Sequence, residues 1–156
     1  MSVRTFRIVK QYLARRAFDG EGARLYGGRW NSPGVAIVYT AESRSLAALE
    51  LLVHLESAEA LQSYVLFEVR IEPLLIQTLD VRGLLGGWRA EPPMKEVQAI
   101  GDRWVAAGES AVLKVPSAVI PEENNFLLNP AHADFGKIRI GGAQPFRLDP
   151  RVARQG

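Results

Sequence analysis

The run Tyr64 to Ile71 (YVLFEVRI) sets Val65, Phe67, Val69 and Ile71 on one side of an extended chain and Tyr64, Leu66, Glu68 and Arg70 on the other. That period of two predicts a strand whose second face grows polar toward its end, and Pro73 closes it. From Ser43 to about Ser57 (SRSLAALELLVHLES) the chain is rich in Leu and Ala and lacks Gly and Pro, which predicts a helix with Thr40 or Ser43 as its N-cap. A second helix is predicted over Met94 to Ala107, where Val97, Ile100, Trp104 and Val105 fall at helical spacing and Gly108 supplies the C-terminal cap. Val35 to Thr40 (VAIVYT) and Ala111 to Val115 (AVLKV) read as buried strands. Thr5 to Ala17 reads as a strand turning into a short helix, and Leu74 to Asp80 as a further short strand.

The remaining segments carry turn chemistry. Asp19 to Gly34 (DGEGARLYGGRWNSPG) has five glycines and one proline, which predicts a loop with aromatics in it. Gly83 to Pro93 is irregular, and Pro116 to Asn129 reads as a loop with one short apolar segment. Lys137 to Ile140 with Pro145 to Leu148 suggests a terminal hairpin across Gly141-Gly142. Strands and helices interleave without the regular spacing or glycine fingerprint of a doubly wound fold. The expectation is therefore an α+β fold, one domain over residues 1–156, with a mixed or antiparallel sheet and flanking helices.

Composition narrows the chemistry. The 156 residues are 47% hydrophobic and 23% charged, enough for one core that removes roughly 70% of the unfolded chain's surface from water. Cysteine is absent, which excludes a disulfide framework, a thiolate metal site and a cysteine nucleophile, and fits a reducing compartment. No apolar run approaches the ~18 residues of a membrane span, so a soluble cytoplasmic protein without membrane partners is expected. His54 and His132 stand far apart without a ligand pattern, so neither a metal centre nor a Ser-His-Asp triad is expected. Of 19 basic residues 15 are arginine, which suits either an anionic ligand or ordinary surface ion pairs.

Three segments break the local pattern. In Tyr26-Gly27-Gly28-Arg29-Trp30-Asn31, glycine backbone and a guanidinium suit a phosphate, and Tyr26 or Trp30 could stack on a ring; the alternative is a surface turn with core-anchoring aromatics. Glu50 lies on or beside the buried stripe of its helix, near Leu46, Ala47, Val53 and His54. A carboxylate there needs a partner, either an arginine, Arg29 being one candidate, or a pocket that uses it for chemistry. The third segment, Val115 to Pro130, concentrates Ser117, Asn124, Asn125 and Asn129, polar groups that make either turns or a binding loop.

Gly28-Arg29-Trp30-Asn31 with Pro33-Gly34, Val38-Tyr39-Thr40-Ala41 leading to Leu46-Ala47 and Glu50, and Val115-Pro116-Ser117 followed by Asn124 to Pro130 resemble, in that order, the RES domain, a family of bacterial toxin-antitoxin toxins. The resemblance implies a fold similar to ADP-ribosyltransferase toxins, with NAD as substrate rather than prosthetic cofactor. It implies cleavage of the nicotinamide-ribose bond by phosphorolysis, with inorganic phosphate as co-substrate, or by hydrolysis. A partner antitoxin with a helix-turn-helix domain is implied, with DNA reached only through it, and a homo-oligomer is compatible.

Carried onto this chain, the resemblance makes Arg29, Glu50 and Ser117 the catalytic candidates. Glu50 would support positive charge growing on the ribose, and Arg29 would hold the pyrophosphate or the incoming phosphate. Tyr39 would stack on the nicotinamide or orient the ribose, with Tyr26 closing the other side and Gly28 permitting close approach. Ser117 would hydrogen-bond a phosphate or ribose oxygen, with Asn125 in the same pocket. The alternatives are ADP-ribosyl transfer onto a protein, or a non-catalytic arginine-rich protein that binds nucleic acid or an acidic partner.

Overall fold

A computed structural model describes residues 1–55 and 63–153. The elements run β1 (Val3–Lys10), α1 (Glu21–Tyr26), β2 (Val38–Ala41), α2 (Arg44–Leu52), β3 (Tyr64–Ile71), β4 (Ile76–Thr78), α3 (Lys95–Ala107), β5 (Val112–Pro116), β6 (Asn124–Leu128), β7 (Arg139–Ile140) and β8 (Gln144–Phe146), with short 3-10 turns between them. The strands form one mixed, curled sheet in the order β4-β5-β6-β2-β1-β3-β7, with β8 also on β3. β4 and β5 are parallel, joined by the crossover that contains α3, and the other pairs are antiparallel. The fold is thus the expected α+β arrangement.

Local chemistry sets the element ends. Ser43 caps α2, its Oγ accepting from the Leu46 amide at 3.0 Å, whereas Thr40 donates its hydroxyl to the Phe126 carbonyl at 2.8 Å. The last two residues of the predicted helix, 56 and 57, lie outside the described residues. Gly108 ends α3 at φ 62°, a left-handed conformation that glycine adopts without strain. The 19–34 stretch is mostly loop as expected but contains the six-residue α1.

Two expectations are corrected. Residues 124–128, expected to be loop, form a central strand paired to both β2 and β5. Phe126 and Leu128 enter one core cluster and Leu127 another, so the strand is apolar on both faces and has no alternation to detect. The terminal segments do not form a hairpin. β7 and β8 instead lie end to end along the outer edge of β3, with Val69 opposite Ile140 and Leu66 opposite Gln144, because the eight-residue β3 offers them a full row of free backbone groups.

Both long helices cover the same face of the sheet. α3 packs Val97 and Trp104 on Leu113, Val115 and Leu127, and α2 packs Leu46 and Ala47 on Phe6, Ala41 and Leu66. The opposite face folds around Val38, Val69, Ile71, Val112, Phe126 and Leu128. Between the helices the sheet itself opens: β1 and β2 are in register at Phe6 and Ala41, and just beyond this the Arg7 guanidinium, not a strand amide, donates to the Tyr39 carbonyl at 2.9 Å.

Candidate active site

A cavity of about 820 Å³ lies above that opening. Phe6, Ile8, Tyr39 and Asn125 line it from the strands, Ala47, Glu50 and His54 from the α2 segment, and Tyr26, Gly28 and Arg29 from the glycine-rich loop; Arg89 and Glu91 complete the wall. Its volume falls within the ~300–1,000 Å³ of small-molecule sites.

Glu50 is held by two neutral donors. Ser117 donates its hydroxyl to Oε2 at 2.9 Å, and Asn125 donates Nδ2–H to Oε1 at 2.8 Å. Burial pushes the Glu50 carboxyl above the ordinary carboxylate range; Asn125, Ser117 and His54 oppose that shift, and Glu123 adds to it. Of the two partners foreseen, the arginine is not found among the described residues, and Arg29 pairs with Glu91 instead. Amide and hydroxyl donors fix the carboxylate's direction without cancelling its charge, so its field remains available to a ligand.

Ser117 ends up behind the site. It is fully buried at the turn after β5, where its Oγ also accepts from the Val119 and Ile120 amides at 3.1 and 3.3 Å. The contact that this geometry offers Ser117 is with Glu50, not with a ligand oxygen. Asn125 reaches both Glu50 and the Thr40 carbonyl, the latter at 3.2 Å, and also lines the cavity.

The glycine-rich loop is pinned from within. Asn31, wholly buried, donates to the carbonyls of Ala23, Ser32 and Val35 and accepts the Tyr39 hydroxyl at 2.5 Å. The same hydroxyl accepts from the Trp30 amide at 3.1 Å, and burial pushes its pKa well above the usual phenol value. Tyr39 therefore offers the cavity its ring rather than its hydroxyl. Gly28 has no room for a side chain, because a Cβ there would sit 2.6 Å from the Tyr39 hydroxyl oxygen; its close approach is to Tyr39. Trp30 is 1% exposed and packs in the core, so it cannot stack on a ligand, whereas Tyr26 is exposed at the rim. The core-anchoring alternative thus holds for Trp30, while its neighbour Arg29 faces the cavity.

α3 fixes this loop from the other side. Gln98 donates to the Gly28 carbonyl at 2.9 Å, Asp102 accepts from the Ser32 amide at 2.9 Å, and Gly101 lets the Trp30 carbonyl rest directly against the helix. Arg29 projects from the loop thus held and is only 15% exposed. Its Nη1 donates to the carbonyls of Trp88 and Ala90 at 2.9 and 2.8 Å, and its Nη2 to Glu91 at 3.1 Å.

Sequence reasoning missed Arg7, Arg89 and Glu91. Arg7 lines the cavity where β1 and β2 part; it donates to the carbonyls of Ala17 and Tyr39, and burial pushes its pKa down to about 10. An arginine set between Phe6 and Ile8-Val9 was a usable signal for it. Arg89 and Glu91 sit in an irregular stretch with no pattern to mark them.

A family model of the RES domain matches residues 4–149. The chain belongs to the RES domain family. Among its relatives, "Toxin Res" of Yersinia enterocolitica is 40% identical over 147 residues, covering 93% of this chain and 95% of the relative. The "Prs ADP-ribosylating toxin" of Sphingobium sp. is 40% identical over 140 residues, covering 88% and 87%. A chain from the crystal structure of the M. tuberculosis MbcT-MbcA toxin-antitoxin complex superimposes with a TM-score of 0.78 over 98% of this chain and 87% of that one; at 19% identity this likeness shows the shared fold. In this RES domain, Arg29 and Glu50 share one cavity and Ser117 stands behind Glu50. Among the described residues no helix is long and apolar enough to cross a membrane.

Proposed function

We propose that this RES domain is the toxin of a toxin-antitoxin pair and cleaves the nicotinamide-ribose bond of NAD. The observation that carries the reading is the Glu50 carboxylate, partly buried, aimed by two neutral donors, in one cavity with the Arg29 guanidinium. When the bond breaks, its electron pair leaves with neutral nicotinamide and positive charge grows on the ribose C1′ and ring oxygen. An ionised carboxylate in a partly desolvated wall opposes that charge more strongly than one in water, which lowers the barrier. Arg29 supplies the complementary anion contact, binding either the dinucleotide's diphosphate or the attacking phosphate.

The acceptor decides the product. In phosphorolysis a phosphate oxygen bonds to C1′ and gives phosphorylated ADP-ribose; in hydrolysis water does so, loses a proton and gives ADP-ribose. Phosphorolysis is the leading reading, since the cavity carries Arg7, Arg29 and Arg89, cations enough to seat an inorganic phosphate beside the dinucleotide. The name of the Sphingobium relative favours a second reading, transfer of ADP-ribose onto a protein. The MbcT-MbcA complex supports an antitoxin as the protein partner; DNA reached through that partner and the cytoplasm as the site of action belong to the same proposal.

Expression of the wild type in bacteria, with cellular NAD measured as growth stops, tests this reading. NAD should fall before growth does, and neither Arg29→Ala nor Glu50→Ala should lower it while each accumulates as folded protein. Growth arrest with NAD unchanged would refute NAD cleavage, and labelled protein at constant free ADP-ribose products would favour the second reading.

A further inference from the structure

Two further charged side chains of the cavity, Arg89 and Glu91, come from the segment that leads into α3. Arg29 takes hold of the carbonyls on either side of Arg89, those of Trp88 and Ala90. Arg89 in turn donates Nε–H to the Ala118 carbonyl at 2.8 Å and reaches the Val119 carbonyl at 3.5 Å, the outer limit of a hydrogen bond. The two guanidiniums are thus held by two separate stretches of backbone, Arg29 by 88–90 and Arg89 by 118–119, both on the wall of one cavity, and their partners are mostly neutral carbonyls that leave their charge uncompensated. The exception is Glu91, whose side chain is 66% exposed and presents an oxygen to Arg29 Nη2 as a phosphate would.

We propose that Arg29 and Arg89 form a two-guanidinium clamp for a diphosphate, and that Glu91 occupies the anion position on Arg29 until the ligand displaces it. The proposal rests on the reading of the cavity as a NAD site, NAD being the ligand that brings a diphosphate. Guanidinium forks match phosphate oxygens bidentately, so one arginine for each phosphate makes use of both charges. Glu91 is itself exposed and meets Arg29 through a single oxygen, so exchanging it for a phosphate costs little. Arg7 stands apart from the clamp, held by the Ala17 and Tyr39 carbonyls where β1 and β2 part, which leaves it for the incoming phosphate of the proposed reaction. The exposed Glu91 lowers the affinity of the empty site and, by mass action, sets the ligand concentration at which it fills.

Titration calorimetry with ADP-ribose on the full chain, with nicotinamide release from NAD measured on the same preparations, tests the clamp. Arg89→Gln should bind ADP-ribose about tenfold or more weakly, the loss given by one charge-assisted contact. Glu91→Gln should bind it roughly two- to fivefold more tightly, a gain that a misfolded variant could not produce. Affinity unchanged in either variant, or no ADP-ribose binding by the wild type, overturns the proposal. The two readings fail separately: the predicted affinities without nicotinamide release would keep the clamp and reject NAD cleavage, and release with unaltered affinities would do the reverse.

Discussion

Replacing Ser117 by alanine removes one of the two donors that hold Glu50 while leaving Asn125 in place. A hydrogen bond to a charged group contributes about 1.5–3 kcal/mol, and one pKa unit corresponds to about 1.4 kcal/mol. The Ser117 bond favours the ionised form, so its loss should raise the Glu50 pKa further. The proposed cleavage needs Glu50 ionised, so the acid limb of the kcat/KM profile for nicotinamide release should move to higher pH, with activity largely recovered above it. Carboxyl chemical shifts of 13C-labelled glutamate give the same quantity without turnover. The variant also leaves the Val119 and Ile120 amides without their acceptor, so its melting temperature should be recorded alongside. A folded Ser117→Ala protein whose Glu50 titrates as in the wild type would refute the argument that Ser117 acts through Glu50.

Glu50 also predicts a pH-dependent stability. Its folded pKa lies above its unfolded value, so the protonated carboxyl stabilises the fold at low pH and that contribution is lost as pH rises through the folded pKa. Glu50→Gln, neutral at every pH, should therefore gain melting temperature relative to wild type at pH 7.5 compared with pH 4, by about 2–4 °C for each kcal/mol relieved; calorimetry showing the same difference at both pH values would contradict this. Tyr39→Phe strands the Trp30 amide and the buried Asn31 oxygen, and urea unfolding should register a loss of about 1–3 kcal/mol; a loss within error would show the Tyr39-Asn31 bond to be unimportant. Gly101→Ala would bring a Cβ to 1.7 Å from the Trp30 carbonyl oxygen, forcing α3 away from the glycine-rich loop. That overpacking should cost about 1–3 kcal/mol or more, and full wild-type stability would show that the contact yields freely.

What was legible in the chain follows from how each element meets its surroundings. β3 alternates, and its bounds were read correctly. α2 and α3 announce themselves through Ser43, Gly108 and their apolar spacing, because caps and periodicity are local signals. β6 was illegible for a physical reason: Asn124 and Asn125 carry a turn signature, and Phe126 to Leu128 are buried on both faces. The terminal strands misled because hairpin chemistry is local, whereas the open edge of β3 that captures them is not. At the site, sequence marked Glu50 as a carboxylate in need of a partner but could not say that Ser117 and Asn125, 67 and 75 residues away, supply it. Nor could it assemble Arg7, Arg29 and Arg89 around one cavity, since strand splitting and the packing of the 88–91 segment bring them together only in the fold.

The most direct measurement is to incubate the purified protein with NAD, with and without inorganic phosphate, and to follow nicotinamide release and the sugar product by chromatography and mass spectrometry, with Glu50→Gln as control. The account predicts phosphate-dependent release with phosphorylated ADP-ribose as product, abolished in the control. Phosphate-independent release of ADP-ribose would keep the cleavage chemistry and replace the acceptor by water. No release under either condition, from protein that is folded and binds ADP-ribose, would contradict the central claim that this cavity cleaves NAD.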